Sequence, residues 1–482
     1  VKICIILEGS YPYVRGGVSN WVDGIMHAMP QHEFILWTIA DSEEKRGKFQ
    51  YEIPQNVLSI QENFIDEALR SRINKSRNIK FSQRDKLEIS NLIRCKDPDW
   101  SLILNQFTSK YKNPIEIFTS EDFLEVLEKF AREDFPFVGF TDLFWTVRSM
   151  YLPLFYLLEK PIPKADIYHS ASTGYAGVLG AFASIKYQAP YIVTEHGIYT
   201  REREEEILRS DWVSPSFKDL WISMFYMYAK CAYQQADRIT SLFERASLIQ
   251  QESGAPPQKC QIISNGISYD RFSAIPLKQD HDWINIGAIV RIAPIKDIKT
   301  MIYTFSRLKQ EIENVRLFIM GGIDDEEYYQ ECLSLIEHLD IKDIQITGLV
   351  DVVSYFEKLD FTILTSISEG QPLAILESFA ARRPVVATDV GCIRELIEGS
   401  DGDRLGNAGI CVPPMHQTKL LMALVDMCRN KRQRARMGKV GQERVENYYR
   451  QTHMIQNYLD LYESLYKQTQ RIGLSQKVSR VI

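Results

Sequence analysis

Two runs of branched apolar residues, VKICIIL at Val1–Leu7 and WINIGAIV at Trp283–Val290, each pass straight into a loop and then into helical periodicity. A near-continuous apolar strand needs cover on both faces, the condition of a parallel sheet clothed by helices. After the first run comes the loop EGSYPYVRGG (Glu8–Gly17). Ser19 is placed to cap the helix that follows, which carries Trp21 and Ile25 towards Met29, and Phe34–Ile39 reads as the next strand. Strand, glycine loop, helix and strand open a doubly wound α/β unit. The second run restarts the pattern. A basic loop, Arg291–Lys296, and a helix lead to strands at Val315–Met320, Ile344–Thr347, Phe361–Leu364, Pro384–Thr388 and Gly409–Val412. The expected fold class is α/β, with two Rossmann-like doubly wound parallel-sheet domains facing a central cleft.

Between the two restarts the rhythm is interrupted. Residues of about 60–160 read as a mostly helical, charged insertion. Strands then resume at Asp166–His169, Tyr191–Thr194 and Arg238–Leu242, with a small-residue helix after Thr173 and a long helix at Phe217–Gln235. Turn signals in IISNGISYDRF (Ile262–Phe272) place the boundary near 274. The first domain is therefore 1–274 and the second 275–454, and the helix of about 455–482 is expected to pack back on the first domain.

The chain has 482 residues and a net charge of −6, which excludes a broad nucleic-acid surface. Its eight cysteines are scattered with no CxxC pair, which argues against a zinc ribbon or a disulfide scaffold. The longest apolar run, Met150–Leu158, contains Pro153 and falls well short of the ~20 residues of a spanning helix. Glu8 and Gly9 interrupt the opening apolar segment, so no signal peptide is expected, and the expected location is the cytoplasm. One local exception to the acidic balance is Arg70–Lys86, with seven basic residues and one acid. It reads as a solvated face, a partner surface or a site of attraction to anionic lipid.

Four constellations carry chemistry. Glu369-Gly-Gln-Pro-Leu-Ala-Ile-Leu-Glu377 follows the strand Phe361–Leu364 at its carboxyl end, where open α/β sheets bind ligands. Pro372 suits the first turn of a helix whose positive end presents the N–H groups of Gln371 and Leu373. Side chains on a helix lean towards its N-terminus, so Glu369 and Glu377 can both accept hydrogen bonds from the hydroxyls of one ligand. A capped helix with two solvated glutamates is the alternative. Arg291-Ile-Ala-Pro-Ile-Lys296 pairs a planar fork with a point charge, able to clamp a diphosphate, or is a solvated basic loop. Gly16 and Gly17 let backbone approach a phosphate, although such turns often simply need glycine. His196, in Thr194-Glu-His-Gly197, stands at a strand's carboxyl end facing the inferred cleft, where a structural histidine is the alternative.

Taken together, the Gly-Gly loop, the His-Gly pair, the turn Asn265-Gly266, R-x4-K and E-x7-E occur in one order. In that order the chain resembles the retaining GT-B nucleotide-sugar glycosyltransferases of the family 4 type, relatives of glycogen synthase and sucrose synthase. The segments EGSYPYVRGGVSNWV, TEHGIYTRERE and SEGQPLAILES look like the glycosyltransferases of Pel-type exopolysaccharide synthesis.

The resemblance implies that Arg291 and Lys296 neutralise the donor diphosphate and Glu377 binds the ribose. It also implies that Glu369, with backbone from Gly370 through Gln371 and Pro372 to Leu373, binds the transferred sugar. His196 would position that sugar, and Gly16 and Gly17 would approach the phosphates. No metal or other cofactor is implied, the substrate being a UDP-sugar, so Asp324-Asp325 and Asp401-Gly-Asp403 read as loop acids. The usual EGFG element is EGQP here, so sugar identity cannot be copied from relatives. Implied partners are the donor, a growing polysaccharide of a biofilm matrix and a membrane-associated export complex at the inner face of the membrane, with no nucleic acid. The competing expectations are a nucleotide-sugar epimerase or phosphorylase, a family 4 type transferase acting on a lipid or small-molecule acceptor, and a sugar-binding protein without catalysis.

Overall fold

The apolar runs become parallel strands. The computed structural model describes residues 1–70, 79–109, 114–279 and 282–478. The chain forms two compact units. Unit 1 comprises Val1–Ser241, Ala246–Ile262 and the chain from Tyr458 onward, and unit 2 comprises Leu242–Arg245 and Ile263–Asn457. The change from one unit to the other thus falls earlier than residue 274. The physical reason is local: Ile267 bridges Arg450, and the short helix Tyr269–Ser273 packs on helices of unit 2.

Unit 1 contains β1 (Lys2–Glu8), β2 (Glu33–Ala40), β3 (Val57–Phe64), β4 (Ile167–Ser170), β5 (Tyr191–Glu195), β6 (Arg238–Ser241) and β7 (Cys260–Ile262). They pair in the order β3-β2-β1-β4-β5-β6-β7, all parallel. Ile5 lies opposite Leu36 on one side and His169 on the other. The order reverses between β1 and β4, the switch point where such sheets leave a crevice at their carboxyl ends. The edge strands β3 and β7 are absent from the sequence reading. Both are half-exposed and mix polar with apolar residues, so neither shows the continuous apolar signature of a covered strand.

The helix Gly17–Ala28 starts before Ser19. Gly16 is its N-cap, with extended backbone and no side-chain cap, while Ser19 is buried within the first turn beside the face formed by Trp21, Val22, Ile25 and Met26. In the insertion the described helices are Ile65–Arg70, Gln83–Ile93, Trp100–Ser109, Glu121–Asp134 and Phe140–Glu159. The apolar run around Pro153 is the buried face of the last of these. Part of the basic run, residues 71–78, lies outside the described residues. Its described cations all meet acids: Arg70 pairs with Glu43 and Asp66, Lys80 with Glu121, Arg84 with Asp99, and Lys86 with Asp122 and Glu125. Tyr458 and Tyr462 of the last helix, Gln451–Val478, are fully buried in unit 1.

Unit 2 contains β8 (Ile284–Ile289), β9 (Val315–Met320), β10 (Ile344–Gly348), β11 (Phe361–Leu364), β12 (Val385–Thr388) and β13 (Gly409–Val412). Their order is β10-β9-β8-β11-β12-β13, again parallel, with the switch point between β8 and β11. Among the described residues, no helix is long and apolar enough to cross a membrane and no cluster of metal-ligating side chains occurs. All eight cysteines are unpaired.

Candidate functional site

In unit 2 the loops that leave β8 and β11 are fastened to each other at the switch point. The loop after β8 tightens into a helical turn at Pro294–Lys296, and Asp297 then caps the helix Ile298–Glu311 by accepting from the Thr300 N–H at 3.3 Å. Ile367 N–H donates to the Ile295 carbonyl at 2.9 Å, and the Thr365 hydroxyl donates to the carbonyls of Lys296 and Asp297 at 2.9 and 3.1 Å. These bonds set the register of one loop against the other. Lys296 Nζ meets Glu369 Oε1 at 2.6 Å, both side chains largely buried, and Ser366 Oγ donates to the same oxygen at 2.5 Å.

The loop carrying Glu369 is held from behind. Gly391 has φ +58°, and a Cβ there would stand 2.1 Å from the Glu369 carbonyl oxygen and 2.6 Å from that of Gly370. Only glycine permits this approach. Cys392 N–H then donates to the Gly370 carbonyl at 3.2 Å. Gln371, buried, accepts from the Asn265 N–H at 2.7 Å, so one of the two residues that distinguish EGQP from EGFG ties the loop to the Asn265-Gly266 turn. Pro372 is the N-cap of the helix Leu373–Ala380 and not a residue of its first turn, because its ψ of 111° is still extended. Ile375 N–H donates to the Pro372 carbonyl at 3.1 Å, and the N–H groups of Leu373 and Ala374 ahead of it have no intrahelical acceptors.

Glu377 is half-buried on that helix, and its carboxylate has no hydrogen bond or ion pair to any described residue, while its carbonyl accepts from the Ala381 N–H at 3.0 Å. Burial pushes its carboxyl up to about 7, with the Arg271 guanidinium pulling the other way. Arg291 is exposed and pairs with Asp324. The structure thus brings Lys296 and Glu369 together, whereas Arg291 turns to an acid that sequence reading took for a plain loop residue. Asp325 caps the helix Glu326–His338.

In unit 1, Gly16 and Gly17 lie exposed at the end of the loop after β1. A Cβ at either would meet no atom within 4 Å, and neither has a φ in the left-handed region. Protein packing therefore does not require glycine at these positions. His196 follows β5 and packs edge-on against Trp21, with ring centroids 4.6 Å apart. Burial lowers its imidazole to about 4, so it is neutral at pH 7, and its Nε2 has no hydrogen-bond partner among the described residues.

Sequence reading missed the two carboxylates that support this corner. Glu195, fully buried, accepts from Thr173, Tyr233 and Gln250 side chains at 3.0, 2.5 and 2.9 Å and from the Tyr199 N–H at 3.3 Å. Glu8 accepts from the Tyr199 hydroxyl at 2.5 Å and from the Ala176 N–H at 3.1 Å. Burial raises both pKa values, against the pull of those donors. Each stands at the last position of a strand, a signal available in the sequence once the strand ends are set.

Comparison with known proteins gives these arrangements a context. Residues 1–258 match the family model "Domain of unknown function (DUF3492)" and residues 282–430 match "Glycosyl transferases group 1". The MMP alpha-(1->4)-mannosyltransferase of Mycolicibacterium hassiacum is 24% identical over 263 residues, 53% of this chain and 60% of that protein. The UDP-Gal:alpha-D-GlcNAc-diphosphoundecaprenol alpha-1,3-galactosyltransferase of Escherichia coli is 26% identical over 306 residues, 58% of this chain and 73% of that protein. The chain spans about half the length of the first curated relatives it matches, 60% of one and 44% of another. The crystal structure of Anabaena Alr3699/HepE in complex with UDP superposes with a TM-score of 0.59 at 14% identity, covering 96% of this chain and all of that one. That likeness is one of fold: two Rossmann-like domains of the GT-B type.

Proposed function

Because the chain belongs to the family of the domain of unknown function DUF3492, followed here by a group 1 glycosyltransferase domain, we propose that it is a retaining, metal-independent hexosyltransferase. It moves a sugar from a UDP-sugar to a growing exopolysaccharide of the Pel type, in the role of PelF, at the cytoplasmic side of a membrane export complex. The observation that carries this reading is the Lys296–Glu369 pair on the loops after β8 and β11, with a half-buried Glu377 on the helix that continues the second loop. UDP as donor is supported by the HepE complexes with UDP and UDP-glucose and by the UDP-galactose relative.

Cleavage of the anomeric C–O bond puts negative charge on the departing diphosphate and positive charge on the sugar. Lys296, Arg291 and the N-terminus of the helix Leu373–Ala380 stabilise the first, as preorganised electrostatics that need no metal. The donor displaces Asp324 from Arg291. Glu369 and Glu377 accept hydrogen bonds from sugar and ribose hydroxyls. In unit 1, Gly16 and Gly17 leave backbone N–H groups open to a phosphate, and a neutral His196 offers its unpartnered Nε2 to a sugar hydroxyl without adding charge.

The test is a donor screen in excess EDTA, measuring binding and hydrolysis of UDP-, GDP- and ADP-sugars. Turnover of a UDP-sugar with EDTA present is the expected result. Exclusive use of a GDP or ADP donor overturns the donor assignment, and activity abolished by EDTA and restored by a divalent ion overturns the metal independence.

A pH dependence follows from Glu377. It must be ionised to accept from two hydroxyls, so UDP affinity is expected to rise as pH climbs through about 7 and then level off. Glu377→Gln should flatten that rise in a calorimetric titration. Stability runs the opposite way. With the folded value above the ordinary one, the native state keeps a proton that the unfolded chain has released, and this group's contribution falls as pH rises from about 4.5 to about 7.

A further inference from the structure

The insertion of unit 1 carries a groove of about 470 Å³ that takes no part in the site described above. Four aromatic side chains line it: Phe217 is buried at its floor, while Phe137 is 99% exposed, Trp145 53% and Trp212 64%. Aromatic rings this exposed and gathered in one concavity mark a contact surface. Trp212 rests edge-on against Trp221 at 5.3 Å and Trp145 against Phe144 at 5.2 Å, so neighbouring rings fix both indoles in place. Arg148 lies over Trp145 at 5.4 Å and adds to that hold.

Polar groups complete the lining. Asp142 and Thr146 come from the helix Phe140–Glu159, and Ser214 and Ser216 come from the segment beside Trp212. None of these four side chains has a hydrogen bond or ion pair to a described residue. The groove therefore offers flat apolar faces interleaved with three hydroxyls and one carboxylate, all unengaged, and its lining contains no lysine or arginine.

That chemistry selects among ligands. A phosphate-bearing ligand or an anionic lipid surface would meet a carboxylate in the lining, and the neighbouring cation, Arg148, is engaged over the Trp145 ring. A helix docked by its apolar face would leave the hydroxyls and the carboxylate desolvated without partners. A pyranose ring has an apolar C–H face and a rim of hydroxyls, which matches rings and polar groups set side by side. We propose that this groove is a second carbohydrate-binding site, which holds a neutral oligosaccharide stretch away from the transfer site. The inference rests on the proposed function only in naming the polymer under synthesis as the natural ligand.

The full chain would be titrated calorimetrically with maltoheptaose, cellopentaose and penta-N-acetylchitopentaose, and separately with UDP. At least one oligosaccharide should bind the wild type. The double variant Trp145→Ala/Trp212→Ala should weaken that binding by about tenfold or more while UDP affinity stays within about twofold. Asp142→Asn and Ser214→Ala, which leave the ring packing untouched, should each weaken it severalfold and serve if the double variant does not fold. Failure of all three oligosaccharides to bind overturns the proposal, as does undiminished binding by the variants. Loss of vesicle flotation in the double variant with sugar binding unchanged assigns the face to lipid and also overturns it. Oligosaccharide binding that depends on the groove, in a chain that binds no UDP, upholds the groove while the donor reading falls.

Discussion

Lys296→Ala is expected to lower kcat by about 10²–10³, a loss of roughly 3–4 kcal/mol of transition-state stabilisation, as for one preorganised electrostatic donor removed from a partly dry site. Two features set this lysine above Arg291. It is largely buried, so its charge is less screened, and Ile295–Ile367 and Thr365 bonds fix its backbone against the neighbouring loop. Arg291 and Lys296 are both paired with an acid, but Arg291 is exposed and its charge screened by solvent, so Arg291→Ala should cost clearly less. The measurement is steady-state turnover with a UDP-sugar, with UDP affinity and the melting temperature read in parallel. A merely structural role would lower the melting temperature and leave kcat of the folded fraction intact. Lys296→Arg should recover part of the rate. Near-normal turnover of a stable Lys296→Ala protein would remove the lysine from the mechanism.

Arg444→Met is expected to destabilise unit 2 by about 3–5 kcal/mol, the cost of leaving a buried charge without its partner. Arg444 and Asp403 have side chains only 1% and 2% exposed, and Arg444 Nε meets Asp403 Oδ2 at 2.5 Å. The guanidinium also donates to the carbonyls of Leu396, Ile397 and Gly406 at 3.1, 2.7 and 2.5 Å. One side chain thereby pins the end of the helix Ile393–Glu398 and the loop ahead of β13 to the helix Lys431–Tyr448. Urea titration followed by circular dichroism reads the effect, and a loss below about 1 kcal/mol would show that the network is dispensable. Burial is the largest single influence on the Asp403 carboxyl and pushes it up, but the Arg444 hydrogen bond, the Leu405 N–H and the Arg444 charge together pull it further down, to a net value below the ordinary one. Its contribution is therefore present above that ordinary value, about 3.9, and is lost as pH falls through the lower folded one.

How far each part was legible in the sequence depended on burial. All six strands of unit 2 were expected close to where they lie: five announce themselves by an apolar run, and the half-exposed edge strand β10, Ile344–Gly348, by alternation of its isoleucines with polar residues. In unit 1 the five inner strands were equally plain, while β3 and β7 were hidden by their polar, half-open edges. Lys296 and Glu369 could be picked out because they follow strands at carboxyl ends. Their direct contact could not, since it depends on two loops distant in sequence being bonded to each other. Arg444 sits in KRQRARMGKVGQERVENY, which reads as a solvated helix, and Asp403 was taken for a surface loop acid. Nothing local in either segment signals a pair buried 41 residues apart.

The last helix also bears on the order in which the protein takes shape at the ribosome. His169 Nδ1 shares a hydrogen bond with the Tyr462 hydroxyl at 2.7 Å, and Tyr458 lies against Trp21 at 5.3 Å. Both tyrosines follow the whole of unit 2 in the chain. Unit 1 is translated first, yet its interior stays open around His169 and Trp21 until residues beyond 458 have emerged. Unit 2 has no such wait and closes on its own sequence, so the half of the protein that is begun first is finished last.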